Sequence, residues 1–129
     1  MTNENLLEIL DHIISELIGV NRTLPVIVEG ESDEKSLRNL GLKGTILRLN
    51  IGLPVFNFCE NLTEYPEVII LTDWDRKGRE LRLKLKQGLR ANGIKANDSY
   101  WLGLKHLCSR EIKVVEQLDN FILRLRNGK

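Results

Sequence analysis

The strongest constraint on the fold of this chain is an alternation: brief apolar, mostly β-branched runs, each followed by a longer stretch with helical periodicity. Pro25-Val26-Ile27-Val28 and Val68-Ile69-Ile70-Leu71 are too short for helices. They also lack the polar alternation of a strand with one face in water. Such runs are strands covered on both faces, and parallel strands joined by crossover helices provide that cover. The sequence therefore predicts a compact α/β domain with about four mostly parallel strands flanked by helices.

Leu6, Leu7, Leu10, Ile13, Ile14, Leu17 and Ile18 recur at helical spacing, which predicts an N-terminal amphipathic helix from about Asn5 to Ile18. Gly19 supplies a stop, and Asn5 with Glu8 resembles a capping pair. The first strand ends at Glu29-Gly30; Ser32 or Asp33 can then cap a helix through Leu37 and Leu40 that Gly41 terminates. Thr45 to Leu49 reads as a second strand, and Pro54 opens a helix reaching about Leu62. The third strand runs into Thr72-Asp73-Trp74-Asp75, and a helix follows from about Arg76 to Asn92, with Leu81, Leu85 and Leu89 on one face and Gly93 as its stop. A short strand is expected at Ser99 to Leu102, and helix over the remainder, especially Ile112 to Leu125. With no repeat and no linker, the chain reads as one unit: an N-terminal helix in residues 1–23, the α/β body in 24–103, and a C-terminal helical extension of the same domain in 104–129.

A 42% hydrophobic composition over 129 residues supplies one core, not two. No apolar run approaches the roughly 20 residues a membrane-spanning helix needs. Glu4, Glu8 and Asp11 stand where a secretory signal carries positive charge, so the expectation is a soluble, cytoplasmic protein with no membrane partner. Cys59 and Cys108 form no Cys-x-x-Cys pair, which argues against a structural zinc or a disulfide framework, and His12 and His106 read as exposed or core-edge residues. The net charge of +1 conceals a division: residues 1–75 hold 13 acids and 5 bases, residues 76–129 hold 5 acids and 14 bases. One part of the protein can attract a cation and another a polyanion.

Ligands of open parallel sheets bind beyond the carboxyl ends of the strands. Two strands here end in acids: Glu29 closes the first, Asp73 and Asp75 the third. Carboxylates gathered there lose hydration and repel one another unless a proton or a cation intervenes. Mg²⁺ suits them, because it takes carboxylate and water oxygens and leaves positions for substrate phosphates. The one-residue spacing of Asp73 and Asp75 lets both point the same way along extended backbone, which turns Trp74 away toward packing or, alternatively, toward a base. Gly30 and Gly78 permit tight turns beside the acids, and the helix after Asp75 directs its positive end at them.

Val26-Ile27-Val28-Glu29-Gly30 with Asp33, and Ile69-Ile70-Leu71-Thr72-Asp73-Trp74-Asp75 with Gly78, resemble the two signature motifs of the Toprim superfamily. The resemblance covers about Leu24 to Gly103 and implies a Toprim (Rossmann-like) fold, found in primases, topoisomerases, OLD-family nucleases, a recombination mediator and the ribonuclease that matures 5S ribosomal RNA; in size the chain is most similar to small stand-alone members. It implies that Asp73 and Asp75 hold Mg²⁺, with Mn²⁺ an alternative ion, that Glu29 is a general acid/base or a further metal ligand, and that Asp33 matches an acidic position of less settled part. The chemistry implied is breaking or making phosphodiester bonds. Tyr65 and Tyr100 have no second domain to deliver them to a DNA strand, which argues against topoisomerase or complete primase activity by this chain alone.

A basic surface supports a nucleic-acid partner, RNA or DNA. Arg76 to Lys95 holds eight Lys/Arg residues and one acid, Glu80. Lys77, Arg79, Arg82, Lys86 and Arg90 are the candidate phosphate contacts, beside the leucine face. Three functions follow: a Mg²⁺-dependent nuclease or related phosphotransferase, a non-catalytic metal- and nucleic-acid-binding accessory domain of a larger complex, or a haloacid-dehalogenase-type phosphatase using Asp73 as nucleophile. The third leaves Glu29-Gly30 unexplained and lacks the Gly-Thr that normally follows its Asp-x-Asp, since Arg76-Lys77 stand there. The terminal helices are compatible with a protein partner or a homodimer.

Overall fold

The computed structural model describes residues 1–49 and 52–128. Four parallel strands, β1 (Val26–Val28), β2 (Ile46–Arg48), β3 (Glu67–Ile70) and β4 (Lys95–Asn97), form one sheet in the order β2-β1-β3-β4. Val26 and Ile27 of β1 stand opposite Ile46 and Leu47 on one side and Ile69 and Ile70 on the other. Helices α1 (Asn3–Asn21), α2 (Glu31–Leu40), α3 (Val55–Glu60), α4 (Arg76–Ala91), α5 (Ser99–Cys108) and α6 (Leu118–Arg126) surround it, with a 3₁₀ turn at Val115–Gln117.

Alternation along the two central strands divides the apolar residues between two cores. Val26, Val28, Ile69 and Leu71 face a layer containing Leu10, Ile14 and Leu17 of α1, Leu37 of α2, Trp101 and Leu104 of α5, and Phe121 and Ile122 of α6. Ile27, Val68 and Ile70 face Phe58 and Cys59 of α3 and Leu85 and Leu89 of α4. Each fully buried aliphatic side chain contributes about 1.5–3 kcal/mol, so the strands are central because nothing polar interrupts them. The helix leaving β1 lies on one face of the sheet and the helix leaving β3 on the other. The neighbouring strands β1 and β3 therefore part at their carboxyl ends, the usual place for a ligand crevice.

The predicted α/β class and parallel sheet are observed, but several boundaries differ. α1 is capped by Thr2, whose Oγ1 accepts from Asn5 N at 3.1 Å, so Asn5 is inside the first turn and caps nothing. The helix also runs past Gly19 to Asn21, whose buried amide donates to Leu24 O and Thr45 O and accepts from Gly44 N. Those three bonds reward the added turn. α2 begins after Gly30, not after Ser32 or Asp33, and Asp33 reaches back to accept Gly30 N at 3.0 Å. Gly41 and Gly93 end their helices as predicted, with φ of 115° and 72°.

The expected strand at Ser99 to Leu102 is instead the first turn of α5, and the fourth strand is the polar Lys95–Asn97. Trp101, Leu104 and Cys108 fall at helical steps and bury one face of α5, while β4, at the sheet edge, needs no apolar run. No helix among the described residues is long and apolar enough to cross a membrane.

Candidate metal centre

β1 and β3 bring Glu29, Asp73 and Asp75 together across a sequence gap of more than 40 residues, with one carboxylate oxygen from each within 4.8 Å of the others. Each carboxylate is held by a peptide N–H from a different place. Glu29 Oε2 accepts from Asp73 N at 2.9 Å, Asp73 Oδ1 from Val115 N at 2.7 Å, and Asp75 Oδ1 from Gly78 N at 2.8 Å. The other oxygen of each makes no hydrogen bond among the described residues. Asp75 doubles as the N-cap of α4, which sets the positive end of that helix beside the cluster.

Gly78 does not turn the chain; it permits close approach. A Cβ there would lie 1.9 Å from Asp73 O, and the Gly78 carbonyl accepts the buried Thr72 hydroxyl at 2.8 Å. Trp74 turns away from the acids, as alternation predicts: it is buried and donates Nε1 to Ile112 O at 2.6 Å. Trp101, also buried, donates Nε1 to Asp73 O at 3.2 Å.

Burial pushes the Asp73 carboxyl up to about 8; the Val115 N–H offsets part of this, and the negative charges of Asp33, Glu29 and Asp75 add to it. Asp33, 7% exposed, is raised by burial too, against the Gly30 N–H and with Glu29 and Glu116 nearby. A buried Asp73 that resists ionisation for want of compensating charge suits a cation. With an oxygen of each already within 4.8 Å of the others, side-chain rotation would let Glu29, Asp73 and Asp75 together hold one hard cation. The donor set, carboxylate oxygen alone, is that of a hard cation.

The basic residues of α4 divide. Lys77, Arg79 and Arg90 are exposed. Arg82 and Lys86 are not free cations: both pair with Asp98 at the start of α5, Lys86 at 3.1 Å, and the Arg82 guanidinium lies 4.3 Å from the centre of the Trp101 ring. Burial favours the neutral Asp98 acid, but Lys86 and Arg82 hold it below the usual carboxylate range. The sequence reading missed Asp98 as their partner, and missed Val115 and Trp101 at the acid site. Val115 acts through its peptide, which carries no sequence signature.

A carboxylate triad at the parting of two parallel strands defines an α/β domain with an acidic centre able to hold a metal. The chain belongs to the Toprim domain family, whose profile matches residues 25–100, enclosing Glu29 and the Asp73/Asp75 pair. Toprim domains typically bind divalent metal and act on nucleic acids. The chain is 42% identical over 100 residues to a UPF0292 protein of Pyrococcus abyssi, covering 78% of this chain and 75% of that one. It is 37% identical over 122 residues to a UPF0292 protein of Methanosarcina barkeri, covering 93% and 85%. Among solved structures it is similar to a protein from Aquifex aeolicus, with a TM-score of 0.71 and 25% identity, covering 82% of this chain and 94% of that one.

Proposed function

We propose that this protein is a Mg²⁺-dependent enzyme acting on nucleic-acid phosphodiesters, as a nuclease or a related phosphotransferase. The observation that carries the reading is the triad itself: Glu29, Asp73 and Asp75 each commit one oxygen to a peptide N–H, and one oxygen from each lies within 4.8 Å of the others. Asp73 and Asp75 are the ligands this arrangement favours, and Glu29 has Oε1 to complete the cage or to move a proton at a reacting oxygen. When bound, a hard divalent cation orients a phosphate, lowers the pKa of water and neutralises charge on a leaving oxygen. The exposed Lys77, Arg79 and Arg90 supply positive charge for a polyanion on the helix that Asp75 caps.

The test is cleavage of labelled single-stranded RNA and DNA during titration with Mg²⁺ or Mn²⁺, wild type beside Asp73→Asn/Asp75→Asn. Metal-dependent cleavage that the double variant loses supports the enzyme. Metal binding without cleavage reassigns the protein as an accessory domain, and no metal binding at millimolar concentration removes the site.

A further inference from the structure

The segment that follows α5 lies outside residues 25–100, yet it touches the acid site through several backbone groups. Ile112 O accepts the Trp74 indole N–H, Lys113 O accepts Trp74 N at 3.0 Å, and Val115 N donates to Asp73 Oδ1 at 2.7 Å. The segment is itself fixed at both ends. Ile112 N bonds Cys108 O at the end of α5, and Asp119 N donates to Ser36 Oγ of α2. Ile112, Val115 and Leu118 are buried between these anchors.

We propose that this C-terminal strap is a working part of the metal centre, with Val115 as a positioning residue whose peptide N–H fixes the orientation in which the Asp73 carboxylate meets a cation. The terminal torsion of an Asp side chain is broad and roughly two-fold, so a buried carboxylate without an anchor samples orientations that present either oxygen or both. The Val115 N–H removes that freedom by holding Oδ1, in a carboxylate that comes within 4.8 Å of those of Glu29 and Asp75. The same bond places a partial positive charge against the most buried acid of the triad, where three other carboxylates are near. Val115 thus acts on the ion through Asp73, by geometry. This inference rests on the metal site proposed above but not on turnover.

The backbone offers a selective way to delete the donor. Val115 opens the 3₁₀ turn, a conformation whose usual φ of about −50 to −70° includes the value proline imposes, and Val114, with φ −131° and ψ 142°, already has the extended conformation required before proline. Val115→Pro therefore removes the N–H, sets a ring carbon in its place so that the Asp73 carboxylate must turn away, and suits the chain path, while Val115→Ala keeps the N–H and removes the packing. Mn²⁺ affinity of the full chain is measured by calorimetry, with circular dichroism and thermal melting on the same samples. Val115→Ala is expected to bind within about threefold of wild type and Val115→Pro at least tenfold more weakly, at similar melting temperatures. Equal affinities for the two variants, or equal losses in both, overturn the proposal, because the segment then acts by packing alone or not at all.

Should Val115→Pro not fold, amide hydrogen exchange of the wild type decides. A Val115 amide that is protected, and more protected with Mn²⁺ bound, sustains the inference; one that exchanges like an exposed amide refutes it. A wild type that binds no Mn²⁺ overturns the metal site and this inference together, whereas wild-type binding with indifferent Val115 variants overturns only this one.

Discussion

Replacing Gly78 with alanine tests whether the spacing of β3 against α4 is set by backbone contact. In an ordinary helix the change adds stability, about 1 kcal/mol. Here the new Cβ would lie 1.9 Å from Asp73 O, 2.4 Å from Asp73 C and 2.8 Å from Asp73 Cα. All three are main-chain atoms that no rotamer can move aside. Restoring an ordinary contact of about 3.4 Å needs a displacement of roughly 1.5 Å between the Asp73 peptide and the first turn of α4. Overpacking costs up to about 3 kcal/mol. The displacement also strains the Thr72–Gly78 and Trp101–Asp73 hydrogen bonds, each contributing about 1 kcal/mol. Against the helix gain, the net loss is about 4 kcal/mol, or roughly 10–15 °C in melting temperature for a domain of this size. Urea and thermal denaturation read the stability, and calorimetric Mn²⁺ titration should show at least a tenfold weaker site, because Asp73 and Asp75 lie on opposite sides of the shift. Gly19→Ala is the control: its Cβ would meet nothing within 4 Å, and it should be neutral or stabilising. Gly78→Ala with wild-type stability and metal affinity would refute the argument from close approach.

Three further predictions concern charge. Asp73 is raised from 3.8 to about 8 in the folded, metal-free protein, so between those values the native state keeps a proton that the unfolded state has released. Stability conferred at low pH is therefore lost as pH rises from about 4 to about 8, and Asp73→Asn should be the more stable protein at pH 8.5 in chelator, with the difference vanishing near pH 4; parallel urea curves for the two across this range would contradict the assignment. For nucleic-acid binding, alanine at Lys77, Arg79 or Arg90 should weaken affinity and lower the salt slope by about one unit each, measured by fluorescence anisotropy of a labelled oligonucleotide. Arg82→Ala should leave that slope unchanged and lower stability, since it strips Asp98 of a partner and Trp101 of the nearer of its two cations, Lys105 being the other; an equal fall in slope would return Arg82 to the phosphate-binding set.

What the sequence disclosed was whatever side chains encode locally. Val26 to Val28 and Val68 to Leu71 announced the two central strands because burial on both faces leaves no polar residue in the run. Glu29, Asp73 and Asp75 were legible because parallel strands deliver their ends to one edge. Lys95–Asn97 was not, because an edge strand of three residues lacks the apolar run that marks a buried one. The Tyr100-Trp101-Leu102 run looked like a strand, though Trp101, Leu104 and Cys108 already held helical spacing. Arg82 and Lys86 looked like members of a basic face; their partner Asp98 lies 16 and 12 residues away and only the fold brings it near. Val115 left no trace at all, since any residue but proline has the N–H it contributes.

The chain has two tryptophans, and both are built into the walls of the acid site. One indole hangs from the residue between the two aspartates and the other is bonded to the Asp73 carbonyl. All of the protein's indole emission therefore originates beside the candidate centre, so an event that moves the Asp73 peptide registers in the intrinsic fluorescence, without a label and with no remote tryptophan to dilute the signal.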